Sequence, residues 1–232
     1  MRFFVLFIAT ACLFSFIGRF APPIPLSAVS AHSQKVTVVL DAGHGGEDGG
    51  ASTYGGLPEK ELNLMIAEEI YSLLSAAGIN TVMTRTEDIL LYDKNSDYKG
   101  HKKSMDLAAR LKMARETENG VLVSIHMNAF PEPKYGGLQV YYSKNSSGGQ
   151  SLATLIQSKN RELLAGDNNR KVKPAGKNIY LLDRFEGTGI LIECGFLSNP
   201  DDRTNLNDAI YRKRLATVIF YSIVQYISEG GR

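Results

Sequence analysis

Strand-like and helix-like segments alternate from residue 35 onward, and this alternation restricts the fold more than any other feature of the sequence. Short β-branched runs such as KVTVVL precede longer stretches whose apolar residues recur at helical spacing. The predicted strands are 35–40, 80–84, 121–125, 137–142, a segment near 179–182, and 189–193. The predicted helices are 58–77, about 104–117, about 152–164, and 209–227. Because a strand–helix–strand crossover places both strands parallel, the sequence predicts one α/β domain with a six-stranded, mainly parallel sheet flanked by helices.

The N-terminal segment has a different character. A basic start at Arg2, an apolar run over 3–17 and the small residues of 28–31 are the three zones of a secretory signal. Arg19 interrupts the segment early, so residues 1–31 are predicted to be either a signal peptide or an uncleaved N-terminal anchor. The protein is therefore expected to be exported, with membrane contact only through this segment.

Charge and cysteine content exclude several classes of protein. The 26 basic residues exceed the 24 acidic ones by two, and Arg2 and Arg19 of the N-terminal segment account for that excess. A body of balanced charge gives no concentrated basic face, so no nucleic-acid partner is expected. Only Cys194 lies beyond the N-terminal segment, which excludes an internal disulfide there and the zinc sites built on CxxC pairs.

Polar side chains stand at or just past the ends of three predicted strands. The first strand runs into the glycine-rich sequence 41–50, which contains His44; the third is followed by His126, and the last ends at Glu193. Parallel strands bring their carboxyl ends to one edge of a sheet, where open α/β sheets bind their ligands. These three side chains are therefore expected to converge, although each alone would be weak support for a site.

Two imidazoles and carboxylates are the donors that zinc prefers, and a catalytic zinc site uses three protein ligands with one position open. The third ligand should be an acid near His44, and four acids qualify by position: Glu47, Asp48, Glu59 and Glu61. Glu59 lies in the first turn of the predicted helix, whereas Glu61 is about 200° further around it, so both cannot face the metal. A first-turn acid that complements the helix dipole is an equally good interpretation of Glu59 from the residues alone.

Glu193 is left for proton transfer once three ligands are in place. It would take a proton from the attacking water and pass it to a leaving amine. Side chains alternate along a strand, so Cys194 is expected to point into the packing, which argues against a cysteine hydrolase.

Four ordered motifs resemble the zinc-dependent N-acetylmuramoyl-L-alanine amidases of the Amidase_3 family. They are DAGHGG at 41–46 with Asp48 and 50–51, EK at 59–60 with Asn63, SIHMNA at 124–129, and ECGFLSN at 193–199. The resemblance implies that His44, Glu59 and His126 bind Zn²⁺ and that Glu193 is the catalytic acid and base. It implies hydrolysis of the amide between N-acetylmuramic acid and L-alanine in peptidoglycan, with 32–232 as the catalytic domain.

In its compact length and its lack of a wall-binding repeat, the chain is similar to a sporulation amidase of this family that acts on the spore cortex. Asn128 is a candidate substrate contact, although an asparagine after a strand also serves as a turn cap. An activating protein partner is possible.

The alternative function is a non-catalytic wall-binding or regulatory protein on the same fold, against which the presence of Glu193 argues. A phosphate-binding function for the glycine loop is disfavoured, since the P-loop lysine is absent.

Overall fold

A six-stranded sheet organises the chain. The structure, a computed structural model, describes residues 36–51 and 56–231, so the predicted signal or anchor at 1–31 lies outside the described residues. The strands are β1 (Thr37–Ala42), β2 (Thr81–Met83), β3 (Gly120–Asn128), β4 (Gln139–Tyr142), β5 (Lys173–Pro174) and β6 (Gly189–Phe196), in the spatial order β2-β1-β3-β6-β4-β5. β1 pairs in parallel with β2 and β3, β3 with β6, and β4 with β5, while β4 runs antiparallel to β6. The predicted mainly parallel sheet is confirmed.

Helices cover both faces of the sheet. They are α1 (Glu59–Ala76), α2 (Lys102–Glu116), α3 (Ser147–Leu163), α4 (Tyr180–Arg184), α5 (Pro200–Asn207) and α6 (Ala209–Ser228). The apolar side chains of α1, α3 and α6 join the larger core on one face, and those of α2 and α4 join a smaller core on the other. In the described part of the chain, no helix combines the length and apolar character that crossing a membrane requires.

The predicted strand near 179–182 is wrong, because this segment forms the short helix α4. Leu181 and Leu182 are both buried in the smaller core. Successive residues of a strand face opposite sides of the sheet, so a helical turn suits two neighbouring buried leucines better. The sheet still has six strands, because β5 takes the place of the strand predicted near 179–182. Pro174 is tolerated in β5 because this strand lies at the edge of the sheet.

Helix α5 was not predicted, although its beginning carries a recognisable signal. The Asn199 side chain accepts hydrogen bonds from the backbone N–H groups of Asp201 and Asp202, and Pro200 occupies the first helical turn. An asparagine cap followed by proline is a common start of a helix. Helix α5 follows β6 closely and packs beside the last residues of that strand.

Candidate metal centre

A tight turn after β1 presents His44. The Gly45 and Asp48 backbones exchange two hydrogen bonds of 2.9 and 3.0 Å. His44 has a φ of 61°, and Gly45 and Gly46 follow with φ of 139° and 55°. Gly43 has a separate role, because a Cβ at this position would overlap the imidazole ring of His126. The glycines thus permit both the turn and the close approach of the loop to β3.

His44, Glu59 and His126 meet in one cluster. Glu59 Oε1 lies 3.2 Å from His44 Nε2 and 3.0 Å from His126 Nδ1. The imidazole rings lie edge to face, with centroids 4.9 Å apart. One ligand atom from each of the three residues lies within 4.8 Å of the others, and the group could hold a metal ion. Glu59 begins α1, His44 follows β1 and His126 lies near the carboxyl end of β3, so the carboxyl edge of the sheet brings the three together.

Backbone and side-chain donors fix the Glu59 carboxylate. Its Oε2 accepts a 2.6 Å hydrogen bond from the Ala51 N–H, and its Oε1 accepts a 3.0 Å bond from the Met127 N–H. The Asn63 side-chain amide lies 3.4 Å from Oε1 and also donates to the Gly43 carbonyl at 3.0 Å. Asn63 belongs to the second sequence motif, and its place four residues after Glu59 predicts a shared helix face.

Two other acids near the loop have different surroundings. Asp48 Oδ2 lies 2.9 Å from His44 Nδ1, the ring nitrogen that does not face Glu59. The contact is an ion pair, because Nδ1 has no partner with hydrogen-bond geometry among the described residues. Glu47 instead forms an exposed ion pair with Lys102. Of the four acids considered from the sequence, Glu59 is the one that contacts both histidines.

Glu193 lies beside this cluster. It is the residue of β6 opposite His126 of β3, and its Oε2 atom is buried with no hydrogen-bond partner among the described residues. Burial raises the pKa of Glu193 to about 7; the two histidines lower it, and the Glu59 charge raises it. Cys194 points into the larger core and is free, as predicted.

The protonation of the cluster follows from its contacts. Burial opposes ionisation of Glu59, but hydrogen bonds and charge from His126 and His44 hold its pKa far below the usual range. Burial likewise opposes protonation of His44, but the carboxylates of Glu59 and Asp48 raise its pKa. At neutral pH Glu59 is therefore an anion, the form that binds a cation, while Glu193 titrates near neutrality.

Asn128 is the last residue of β3 and lies opposite Phe196 of β6. Its backbone carbonyl accepts a 2.8 Å hydrogen bond from the Leu197 N–H. Asn128 is thus part of the strand ladder, two residues beyond His126, and the register of β3 against β6 shifts between these two residues.

The chain resembles known proteins over most of its length. A family model described as Amidase_3, N-acetylmuramoyl-L-alanine amidase, matches residues 38–225. The germination-specific N-acetylmuramoyl-L-alanine amidase of Bacillus subtilis (strain 168) is 34% identical over 194 residues, which span 84% of this chain and 81% of that protein. The structure of the CwlD amidase from Clostridioides difficile, in complex with the GerS lipoprotein, matches with a TM-score of 0.78 and 35% identity over 84% of this chain and 99% of that chain.

A second solved structure supports the same assignment. The N-acetylmuramoyl-L-alanine amidase AmiC2 of Nostoc punctiforme matches with a TM-score of 0.69 and 29% identity, over 83% of this chain and 97% of that one. The family predicted from the four motifs is confirmed. The chain belongs to the Amidase_3 family of N-acetylmuramoyl-L-alanine amidases, and it is a hydrolase that acts on peptidoglycan.

Proposed function

We propose that this chain is a zinc-dependent amidase in which His44, Glu59 and His126 hold the zinc ion and Glu193 transfers protons. One observation carries the proposal. Three potential metal ligands lie within 4.8 Å of one another, and a buried carboxylate oxygen beside them has no hydrogen-bond partner among the described residues. Ligands that are complete without Glu193 leave that side chain available for chemistry.

The donor set fits zinc. Two imidazole nitrogens and one carboxylate oxygen form one of the ligand sets of catalytic zinc sites, in which a fourth position stays open. A bound zinc ion supplies a Lewis acid that polarises the amide carbonyl and lowers the pKa of water to about 7. Asp48 would orient His44 through its outer nitrogen, as carboxylates do in histidine–zinc sites.

Glu193 is suited to move a proton in both directions. Its pKa of about 7 in the metal-free fold means that protonated and ionised forms are both accessible near neutral pH, and a nearby cation favours the ionised form. The ionised carboxylate can take the proton of the attacking water. The protonated form can then give that proton to the amine of L-alanine as the amide bond breaks.

We propose Asn128 as a substrate contact. It ends β3 two residues beyond His126, and from there its half-buried side chain would meet an amide of the muramoyl group or of the stem peptide. An amide side chain can both donate to and accept from a peptide group.

The cellular setting is also part of the proposal. We infer that residues 1–31 direct export as a signal or anchor, and that 32–232 form the catalytic domain. A role in the spore cortex is supported by the similarity to a germination-specific amidase and to CwlD. The CwlD structure contains the GerS lipoprotein, which supports a protein partner for this chain as well.

The bond that is cleaved tests this proposal. Zinc-loaded protein is incubated with purified peptidoglycan, and the digest is analysed by mass spectrometry. We expect free stem peptides with a new L-alanine amino terminus and intact glycan strands. Cleaved glycosidic bonds with stems still attached would place the protein in another reaction class. Binding to the wall without release of any fragment would favour the non-catalytic alternative.

A further inference from the structure

Two buried arginines lie beneath the loop that carries His44. Arg85 follows β2 and is 3% exposed, while Arg110 belongs to α2 and is 1% exposed. Arg110 donates through Nη1 to the Ala42 carbonyl and through Nη2 to the His44 carbonyl, both at 2.7 Å. Arg85 donates through Nε to the Ala42 carbonyl at 2.8 Å and through Nη2 to the Gly43 carbonyl at 3.0 Å. Three consecutive carbonyls of the loop are therefore held by two guanidinium groups.

Arg85 also joins this loop to helix α1. Its Nη2 donates to the Lys60 carbonyl at 2.7 Å, next to Glu59 in the first turn of the helix. A single guanidinium thus contacts the backbone beside His44 and the backbone beside Glu59. Its rigid, planar set of donors suits such a bridge, whereas a lysine ammonium is a single point of contact.

The loop needs this external support because its own conformation is unfavourable. His44 has a φ of 61°, which is uncommon for a residue with a side chain, and the two glycines that follow also have positive φ. Glycines are free to adopt many other conformations, so the local sequence does not select this one. Hydrogen bonds to the carbonyls at 42–44 restrict the loop to the form in which His44 faces Glu59.

Arg110 is itself held by two buried acids. Arg110 contacts Asp41 Oδ1 at 2.7 Å and Asp106 Oδ2 at 2.8 Å, and both acids are buried. Asp41 also accepts hydrogen bonds from Ser124 Oγ at 2.6 Å and Thr84 Oγ1 at 2.8 Å. This network runs from β1 and β3 to α2, so the guanidinium of Arg110 has a fixed place below the loop that carries His44.

We propose that Arg85 and Arg110 are positioning residues that order the backbone of 42–44 before the metal ion enters. The inference rests on the proposed function, in which His44 and Glu59 are metal ligands. Both arginines are buried, so they act on the site through its backbone. Because they restrict the loop before the ion binds, the loop loses less conformational entropy on binding. The affinity of the site for the ion is therefore higher.

The full chain carrying Arg85→Lys or Arg110→Lys tests the proposal, with Arg212→Lys as the matched control. Arg212 also donates to a main-chain carbonyl, that of Leu206 at 2.7 Å, but at the junction of α5 and α6. Zinc affinity is measured by competition with a chromophoric chelator. We expect each loop variant to bind zinc at least tenfold more weakly than the wild type, and the control to stay within twofold.

Hydrogen exchange of the metal-free chain supplies a readout independent of activity. The Gly43 N–H donates to the Ile125 carbonyl at 3.1 Å and the Gly45 N–H to the Asp48 carbonyl at 2.9 Å, so both amides should be protected in the wild type without metal. In Arg85→Lys we expect their exchange to be at least tenfold faster. Equal zinc affinity and equal exchange in Arg85→Lys would overturn the proposal, even if that variant melts at a lower temperature.

The wild-type measurement keeps the proposal falsifiable if a variant fails to fold. Rapid exchange of the Gly43 and Gly45 amides in the metal-free wild type would mean that the loop is not ordered in advance, and the proposal would fail. Failure of the proposed function has a different signature, since a wild type that binds no zinc but protects both amides would refute the zinc assignment and leave the ordering of the loop standing.

Discussion

Gly43→Ala places one methyl group against a predicted zinc ligand, and its consequence can be worked out from the structure. The added Cβ would lie 2.8 Å from His126 Cδ2 and closer still to Cε1 and Nε2 of the same ring. Non-bonded carbons prefer about 3.5–4.0 Å, so the imidazole has to retreat by roughly 1 Å. The φ of Gly43 lies outside the left-handed region, which makes alanine compatible with the backbone itself. The perturbation is therefore a displacement of His126.

The size of the effect follows from the tolerance of a metal site. Zinc–nitrogen distances vary by only about 0.2 Å around 2.0–2.1 Å, so a shift of roughly 1 Å takes His126 out of coordination range unless neighbours move. If the displaced ring has to return against the extra methyl group when zinc binds, the cost of about 1–3 kcal/mol corresponds to about a 5- to 150-fold loss of affinity. We expect zinc affinity to fall by this factor and amidase activity at limiting zinc to fall with it.

Gly49→Ala is the matched control. Gly49 lies in the same loop, and a Cβ there meets no atom within 4 Å. Zinc titration of both variants against a chelator, together with their thermal unfolding, separates a local effect from general weakening of the loop. Gly43→Ala with wild-type zinc affinity would refute the assignment of His126, as would an equal loss of affinity in Gly49→Ala.

Three further predictions concern the two acids. Glu193→Gln should keep its zinc, measured by elemental analysis, and lose about 10²- to 10⁴-fold in turnover; loss of the metal would make Glu193 a ligand instead. Glu59→Ala should lose zinc and lose the stabilisation of the folded protein by added zinc, seen as a melting temperature that no longer rises with zinc concentration. In the folded, metal-free protein the pKa of Glu193 is about 7, whereas its ordinary value is 4.5. Between pH 4.5 and 7 the folded state therefore binds this proton more tightly than the unfolded state does. The free energy of unfolding should therefore fall as the pH rises from about 4.5 to 7, and Glu193→Gln should remove that part of the fall in urea titrations; an unchanged pH profile would contradict the raised pKa.

The sequence predicted those parts of the site that depend on the sheet. His44, His126 and Glu193 lie at or near the ends of predicted parallel strands, and the topology alone brings such positions to one edge. The choice of Glu59 over Asp48 or Glu61 was different, because it depends on the direction in which the first turn of α1 points, and only the resemblance to the family decided it.

The features that were missed involve buried charge and local packing. Arg85 and Arg110 belong to a residue type that is rarely buried, so no periodic pattern singles them out. The segment at 179–182 has the composition of a strand, but the burial of both Leu181 and Leu182 selects a helix. Both outcomes are set by tertiary contacts, which short-range patterns do not contain.

The position of the metal ion tests the central claim most directly. A crystal of the zinc-loaded protein is measured above and below the zinc absorption edge, and the anomalous difference map locates the ion. We predict one strong peak, about 2.0–2.1 Å from His44 Nε2 and from His126 Nδ1 and about 2.0–2.2 Å from a Glu59 carboxylate oxygen, with Glu193 outside the ligand set. A peak at other residues, or a site that includes Glu193 and omits Glu59, would contradict the account.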